Sequence, residues 1–394
     1  MHQSVGLNFY NEKSIFPVFQ NISNMEKHFQ IRESLYRLLG VPSISFKDRD
    51  ILEVAAGSGE NSLYISAQLP KSFDICEPNS IAFNNIEKLY NYTREFPNGI
   101  RDNFPVLHTK PRLFKMSLED FEIKKEYDFV ICEGWIGGMT AYERSMLLKL
   151  SQFVKVGGIL LISFYPPIGG LSSFLRRLLA FRIISKQETL EEQTKKLEHA
   201  FSSHLKTLPH LSRSNSHWVQ DSILNPHIYV GPLSPRMIFE TLSDHFSIYQ
   251  SIPSMKQEWR WYKSLYGTHR NFNAHFLNDY DQYSHNLLDY RYFLPPRSGD
   301  KNRSLEELCI SLINVSQKQD ALGYAAHKEH LFPVLDSILK NLEDIIETDS
   351  GHGIKECVTL LQQEDLNADQ ISQMKRFNGC FGREQCYMSL VREH

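Results

Sequence analysis

The sequence predicts an α/β chain: a doubly wound, mostly parallel sheet interrupted by a helical insertion and followed by an all-helical carboxyl-terminal domain. Three observations predict it. The apolar run Ile51-Leu52-Glu53-Val54 passes into a small-residue turn, Ala55-Ala56-Gly57-Ser58-Gly59, where a helix should begin. A second apolar run, Phe73-Asp74-Ile75-Cys76, ends in Glu77, 18 positions beyond Gly59. Two further continuous apolar runs, Tyr127–Cys132 and Ile159–Phe164, flank a segment of helical period, as strands buried on both faces of a parallel sheet would.

Asn24 to Leu39 alternates charged and apolar positions as a helix does, and Gly40-Val41-Pro42 ends it before the first strand near Asp50, which places this helix as a roof over the carboxyl ends of the strands. Arg144–Leu150 has helical spacing, and Val156-Gly157-Gly158 is expected to stop that helix. Tyr165-Pro166-Pro167-Ile168-Gly169-Gly170 reads as a turn cluster leading into a basic amphipathic stretch with Arg176, Arg177, Arg182 and Lys186, to be expected as a lid or as a solvated helical hairpin. Gly231–Pro235 leads into a helix over Arg236–Leu242, and Phe246–Pro253 alternates as a strand at the antiparallel end of the sheet. Beyond residue 271, Leu305, Leu308, Cys309, Leu312 and Ile313 share one helical face, with Ser304 and Glu307 at capping-box spacing, and Leu331, Leu335, Ile338, Leu342 and Ile345 repeat the pattern. The predicted organisation is therefore an N-terminal helical segment (1–45), a core in two parts (46–165 and 218–270), an insertion (166–217) and a helical domain (271–394).

Small residues at a strand-to-helix turn allow a ligand to approach the backbone, and an acid at the end of the second strand is placed to bind a ribose. Two adenosine carriers fit. A nicotinamide dinucleotide wants a third glycine where this chain has Ser62, which weakens that reading. The form Glu53-Val54-Ala55-Ala56-Gly57-Ser58-Gly59, with Glu77-Pro78-Asn79, resembles the class I S-adenosylmethionine-dependent methyltransferases. The resemblance implies a Rossmann-like seven-stranded methyltransferase core and S-adenosylmethionine as cofactor, with S-adenosylhomocysteine as product. It further implies that Ala55, Gly57 and Gly59 lie against the methionine part, that Glu53 supports the polar network there, and that Glu77 takes both ribose hydroxyls. Ala55 stands where the family most often has its first glycine. Met116–Phe121 is similar to the family's adenine-edge segment, with Ser117 in place of the usual acid, the Leu118 backbone N–H as donor and Glu119 or Asp120 for the amino group. Glu133, closing the run Tyr127–Cys132, falls where the family faces the transferable methyl.

Composition narrows the class. With 394 residues, 41% hydrophobic, the chain can bury a large core and divides into two or three folding units. A formal charge of −3 gives no overall footprint for nucleic acid. No apolar run reaches a membrane span and the amino terminus lacks a leader pattern, so the expectation is a cytoplasmic protein. The six cysteines are scattered without metal spacing, and no metal is expected.

For the acceptor, Ser216–His227 concentrates two histidines, an acid, an amide and a tryptophan, and His217 and Asp221 are the candidate catalytic residues, since a hydroxyl acceptor needs a base within reach. Glu258–Lys263 is a second aromatic and basic group with the capacity to stack on a ring. Trp218–Lys263 and Phe381–Gln385 resemble segments of bacterial methyltransferases, some of them companions of surface-polysaccharide synthesis. The likeness names no substrate, and the leading expectation is a small-molecule or glycan acceptor, methylated at a hydroxyl or amine. A protein acceptor, and a non-catalytic S-adenosylmethionine-binding protein, are the alternatives. The helical domain is expected to cover the substrate or to form a homodimer.

Overall fold

The structure, a computed structural model, describes residues 5–91, 108–211, 213–255, 258–322, 324–345 and 348–394. Its centre is one seven-stranded sheet. The strands are β1 (Asp50–Val54), β2 (Ser72–Cys76), β3 (Arg112–Phe114), β4 (Tyr127–Cys132), β5 (Val154–Phe164), β6 (Phe246–Ile252) and β7 (Cys386–Arg392), in the spatial order 3-2-1-4-5-7-6. The first five are parallel, and β7 runs antiparallel between β5 and β6. From β1 the chain winds outward through β2 and β3, then returns to start β4 on the other flank of β1. The gap above β1 and β4 is thus the topological switch point, where ligands bind beyond the strand ends.

Helices cover both faces because the four inner strands are apolar on both. The first helix, α1 (Val5–Lys13), packs on the turn Pro226–Tyr229, with Phe9 against the larger of two cores, and on one side of the sheet α2 (Met25–Leu38), α3 (Ser62–Ala67) and α4 (Ser80–Tyr90) lie near the cofactor half. The α2 helix begins where Asn24 Oδ1 accepts the Lys27 N–H at 2.8 Å, and it ends at Gly40, whose φ of +73° favours glycine. Tyr36, Phe46, Ile51, Phe73, Ile86 and Phe129 pack in the smaller of two cores there. On the opposite face, α5 (Ala141–Gln152), α6 (Pro167–Ile183), α7 (Leu190–Leu205) and the short α8 (Asn215–Trp218) join a larger core with the later helices. Those are α9 (Pro235–Leu242), α10 (Phe272–Tyr283), α11 (Gly299–Leu322), α12 (Tyr324–Asn341), α13 (Asp349–Leu361) and α14 (Ala368–Ser372).

Four local expectations differ from what forms. Val156-Gly157-Gly158 does not stop a helix: α5 has already ended at Gln152, and the glycines form an irregularity inside β5, with φ +77° at Gly157. Gly169 and Gly170 are not in a turn but in the first turn of α6, entered by Pro166-Pro167; a Cβ at Gly169 would lie 3.1 Å from the Arg383 carbonyl carbon, so the glycine lets the chain before β7 press onto the helix. Ser304 lies inside α11, which begins five residues earlier at Gly299, so it caps nothing.

The basic stretch of 166–217 is the most instructive difference. Arg176 and Arg177 are buried, not solvated. The Arg176 guanidinium donates to the carbonyls of Cys380 (2.9 Å) and Phe377 (3.2 Å) and lies 3.7 Å from the centre of the Phe381 ring, while Arg177 Nε donates to the Tyr229 hydroxyl at 2.8 Å. Arg182 reaches the carbonyls of Leu361, Gln363 and Glu364 at the carboxyl end of α13, where a cation satisfies unpaired helix acceptors. Only Lys186 of the four is exposed. The α6 helix is therefore an axle of the larger core, and the segment after residue 271 wraps it. That segment is helical as far as Ser372 and then returns to the sheet, so that 386–392 supplies the strand between β5 and β6 and the helices of 272–372 form an excursion between β6 and β7.

Candidate cofactor site at the carboxyl ends of β1, β2 and β4

The turn after β1 is shaped by three residues with positive φ: Ala55 (+57°), Gly57 (+62°) and Gly59 (+84°). Ala55 adopts a conformation that costs a non-glycine residue about 1–2 kcal/mol, which explains why a glycine is favoured there. Gly59 turns its vacant Cβ direction into α4, 2.9 Å from Ile86 Cγ1, so its smallness serves helix packing. Gly57 turns toward the N-terminal segment, with Phe16 and Val18 at 3.8–4.0 Å from its Cβ direction. Its N–H donates to Glu77 Oε2 at 3.0 Å. The other carboxylate oxygen, Oε1, accepts the Asn79 N–H at 2.8 Å, and Asn79 itself caps α4. Two backbone amides thus aim a buried carboxylate across the gap between β1 and β2, and each oxygen keeps a lone pair for another donor.

Glu53 and Glu133 complete the floor. Glu53 is buried, and its Oε2 has no hydrogen-bond partner among the described residues. Burial pushes its carboxyl up to about 8, with the neighbouring Glu133 and Glu77 charges adding to the shift. Burial likewise pushes Glu77 up to about 7, against the pull of its two backbone donors. Glu133, at the tip of β4, is held by Arg32 from α2 through both oxygens, with one N–O distance of 2.9 Å, and the Asn61 amide stands 3.4 Å away. Burial works against the Arg32 charge, and Glu133 more than restores it, holding the guanidinium well above its ordinary value. Beyond Glu133, Gly134 has φ +83° and nothing within 4 Å of its Cβ direction, so the β4 tip faces open space.

The other residues expected at the site are spread over two neighbourhoods. Ser117 and Asp120 bond to each other at 2.8 Å in the turn after β3, the Leu118 side chain is buried in the core, and Glu119 turns toward Tyr142 of α5 at 3.5 Å. His217 sits in α8 with its ring 5.8 Å from that of Phe19. Asp221 lies just beyond in a π-helical turn, Val219–Leu224, where Arg213 and the Tyr10 hydroxyl bind its carboxylate. Sequence reasoning did not find Arg32, Asn61 or Tyr10. Arg32 is one of three cations in the helix placed as a roof, with Lys27 and Arg37, and nothing in the chain announces that a strand tip 101 positions later is its partner. It also did not find that the segment from α1 through Val18 spans both halves: Tyr10 meets Asp221, while Val18 accepts the Ser58 hydroxyl at 3.0 Å beside the glycine turn.

Five parallel strands with a reversal beside β1, a last strand threaded antiparallel between β5 and β6, and an acid at the end of β2 bound to a glycine turn after β1 decide the fold. It is the class I methyltransferase fold. No protein-family model matches the chain, and no curated protein does. Solved structures with this methyltransferase fold include an S-adenosylmethionine-dependent methyltransferase from Clostridium acetobutylicum (16% identity, 38% of this chain and 52% of that one, TM-score 0.28). Others are PKMT2 from Rickettsia typhi (12% identity, 63% and 48%, TM-score 0.38) and the glycopeptide N-methyltransferase MtfA complexed with sinefungin (16%, 35% and 54%, TM-score 0.26). The matched part of this chain spans about half the length of each.

The raised carboxyls give a pH dependence with a definite sign. Both fold with pKa values above the ordinary carboxylate range, so together they favour the folded protein at acid pH and progressively disfavour it as pH climbs through about 7 and 8. A ligand whose hydroxyls donate to ionised Glu77 must displace that proton. Affinity for such a ligand should rise roughly tenfold between pH 6 and 8 and then level off, with proton release near pH 7. Calorimetric titration at pH 7 in two buffers of different ionisation enthalpy measures it, and equal apparent enthalpies would count against an ionised Glu77 as the acceptor.

Proposed function

We propose that the protein is an S-adenosylmethionine-dependent methyltransferase acting on a small-molecule or glycan acceptor, at a hydroxyl or amine. One observation carries the reading: a buried Glu77 carboxylate, oriented by the amides of Gly57 and Asn79, at the edge of a switch-point crevice whose floor holds two more carboxylates. The residues fit the donor. Glu77 has lone pairs for a ribose diol, Gly57 leaves the backbone open, and the unpaired Oε2 of Glu53 suits an ammonium. A dinucleotide fits less well, because Ser62 stands where its fingerprint has a third glycine.

When bound, S-adenosylmethionine supplies a carbon already activated for displacement, so the protein's task is alignment and exclusion of water. The open space beyond Gly134 is the acceptor side in this reading. Asp221, kept beside Arg213, and His217 are the groups we assign to the acceptor's proton. The N-terminal segment lies over both the glycine turn and Asp221, an enclosure that favours a small acceptor over a protein surface. The first test is thermal: at one hundred times its dissociation constant, S-adenosylmethionine or S-adenosylhomocysteine should stabilise the protein by about 2.7 kcal/mol. A shift with NAD and none with either methyl-donor species would sink the reading.

A further inference from the structure

The strand β6 runs parallel to β5, so the chain leaves it at the same edge of the sheet as the cofactor site. The loop beyond β6, Glu258–Arg270, presents an unusual surface. Trp259 is 91% exposed, Trp261 64%, Tyr262 67% and Tyr266 69%. Four large aromatic side chains within eight residues lie in water, a density that no other described segment shows. An exposed aromatic group of this density marks a contact surface.

The charges around the rings identify the partner. The segment holds three cations, Arg260, Lys263 and Arg270, against one carboxylate, Glu258. Arg260 and Glu258 cancel: Nε and Nη2 donate to the two carboxylate oxygens at 2.7 and 2.5 Å, and Nη1 donates to the His269 carbonyl at 2.8 Å, which ties the two ends of the loop together. Lys263 and Arg270 remain as net positive charge. The Lys263 ammonium lies 5.8 Å from the Trp261 ring centre and 6.0 Å from that of Tyr262, so cation and ring project as a unit. On a chain of net charge −3 this is a local inversion of sign.

We propose that Glu258–Arg270 is an adsorption loop for an anionic lipid surface. Indole and phenol rings settle at the headgroup level of a bilayer, apolar body inward and polar tip outward, and lysine and arginine stems extend to anionic headgroups around them. The other partners of aromatic and basic loops fit less well. A sugar needs fixed hydrogen-bonding groups beside a flat ring, and here the one carboxylate is engaged by Arg260 while the Trp261 and Tyr262 rings are inclined at 51° to each other. A single nucleic-acid strand needs a basic groove along several nucleotides, whereas this is one tied loop on an acidic chain.

The experiment is co-sedimentation of the full chain with phosphatidylcholine vesicles, with and without roughly one-third phosphatidylglycerol, at low and high salt. The expected result is binding to the anionic vesicles with a blue shift of tryptophan emission, weakened by salt, and little binding to phosphatidylcholine alone. Trp259→Ala/Trp261→Ala should lower the partition by at least about tenfold with an unchanged melting temperature, because both rings are solvent-exposed. Lys263→Glu/Arg270→Glu should remove the preference for anionic vesicles. The proposal is overturned if the full chain fails to sediment with anionic vesicles or binds neutral ones equally well. It is also overturned if the double tryptophan variant binds like the parent, or if the same variant instead loses binding to an oligo(dT) strand that outcompetes the vesicles.

Discussion

Glu77→Ala should abolish measurable binding of S-adenosylmethionine while the sheet stays folded. The carboxylate is fixed by the Gly57 and Asn79 amides, so its free lone pairs point where a ligand's diol would lie. Hydrogen bonds to a charged acceptor contribute about 1.5–3 kcal/mol each, and two of them amount to a loss of roughly two to four orders of magnitude in affinity. The fold should tolerate the change. Alanine removes a carboxyl that burial already disfavours when ionised, which offsets part of the cost of leaving two amides without their acceptor. Gly57→Leu should reach the same end by another route. At φ +62° any side chain is strained by about 1–2 kcal/mol, and a leucine must extend past its Cβ toward Phe16 and Val18. It would press the N-terminal segment off the turn that it covers. Glu77→Gln, which keeps the shape and loses the charge, separates geometry from electrostatics and should retain part of the affinity. Calorimetric titration of the three variants decides the matter: unchanged affinity in both Glu77→Ala and Gly57→Leu would remove the cofactor site from this crevice.

The half of the molecule that holds this crevice is the half the sequence displays. The strands β1, β2, β4 and β5 are continuous apolar runs because helices cover both of their faces, and the acid and glycines at their ends stand out against that background. Local signals also suffice for α2 and α9, whose caps, Asn24 and Ser234, precede them directly. The remaining features depend on contacts between distant positions. Cys386–Arg392 is a short apolar run broken at Ser389, and its place between β5 and β6 is set by partners more than 130 residues earlier, so after a long helical stretch the sequence assigns it to the helical domain. Arg176 and Arg177 have the spacing of a solvated face, and the carbonyls and rings that receive Arg176 come from 377–381. Ionic composition alone cannot distinguish a cation in water from one in a cage of backbone acceptors. Asp221 shows the same limit at the candidate site. The sequence sets it beside His217 but does not announce that its carboxylate is bound by Arg213 and by Tyr10, which lies 211 positions earlier.

The pair that joins the roof helix to the β4 tip gives the second large effect. Arg32 and Glu133 are both largely withdrawn from water, with side-chain exposures of 5% and 13%. Arg32→Leu keeps the bulk of the stem and deletes the charge, leaving Glu133 near Glu53 with the Asn61 amide as its remaining side-chain donor among the described residues. Breaking a buried pair from one side costs about 3–5 kcal/mol, mostly as the penalty of the stranded charge, so chemical denaturation should show a loss of that size. The companion Arg32→Leu/Glu133→Leu should recover most of the stability at pH 7, since two apolar side chains leave no charge to solvate. A double variant no better than the single one would mean that Arg32 holds α2 through its contact with the Tyr36 hydroxyl at 2.7 Å and through packing, not through Glu133.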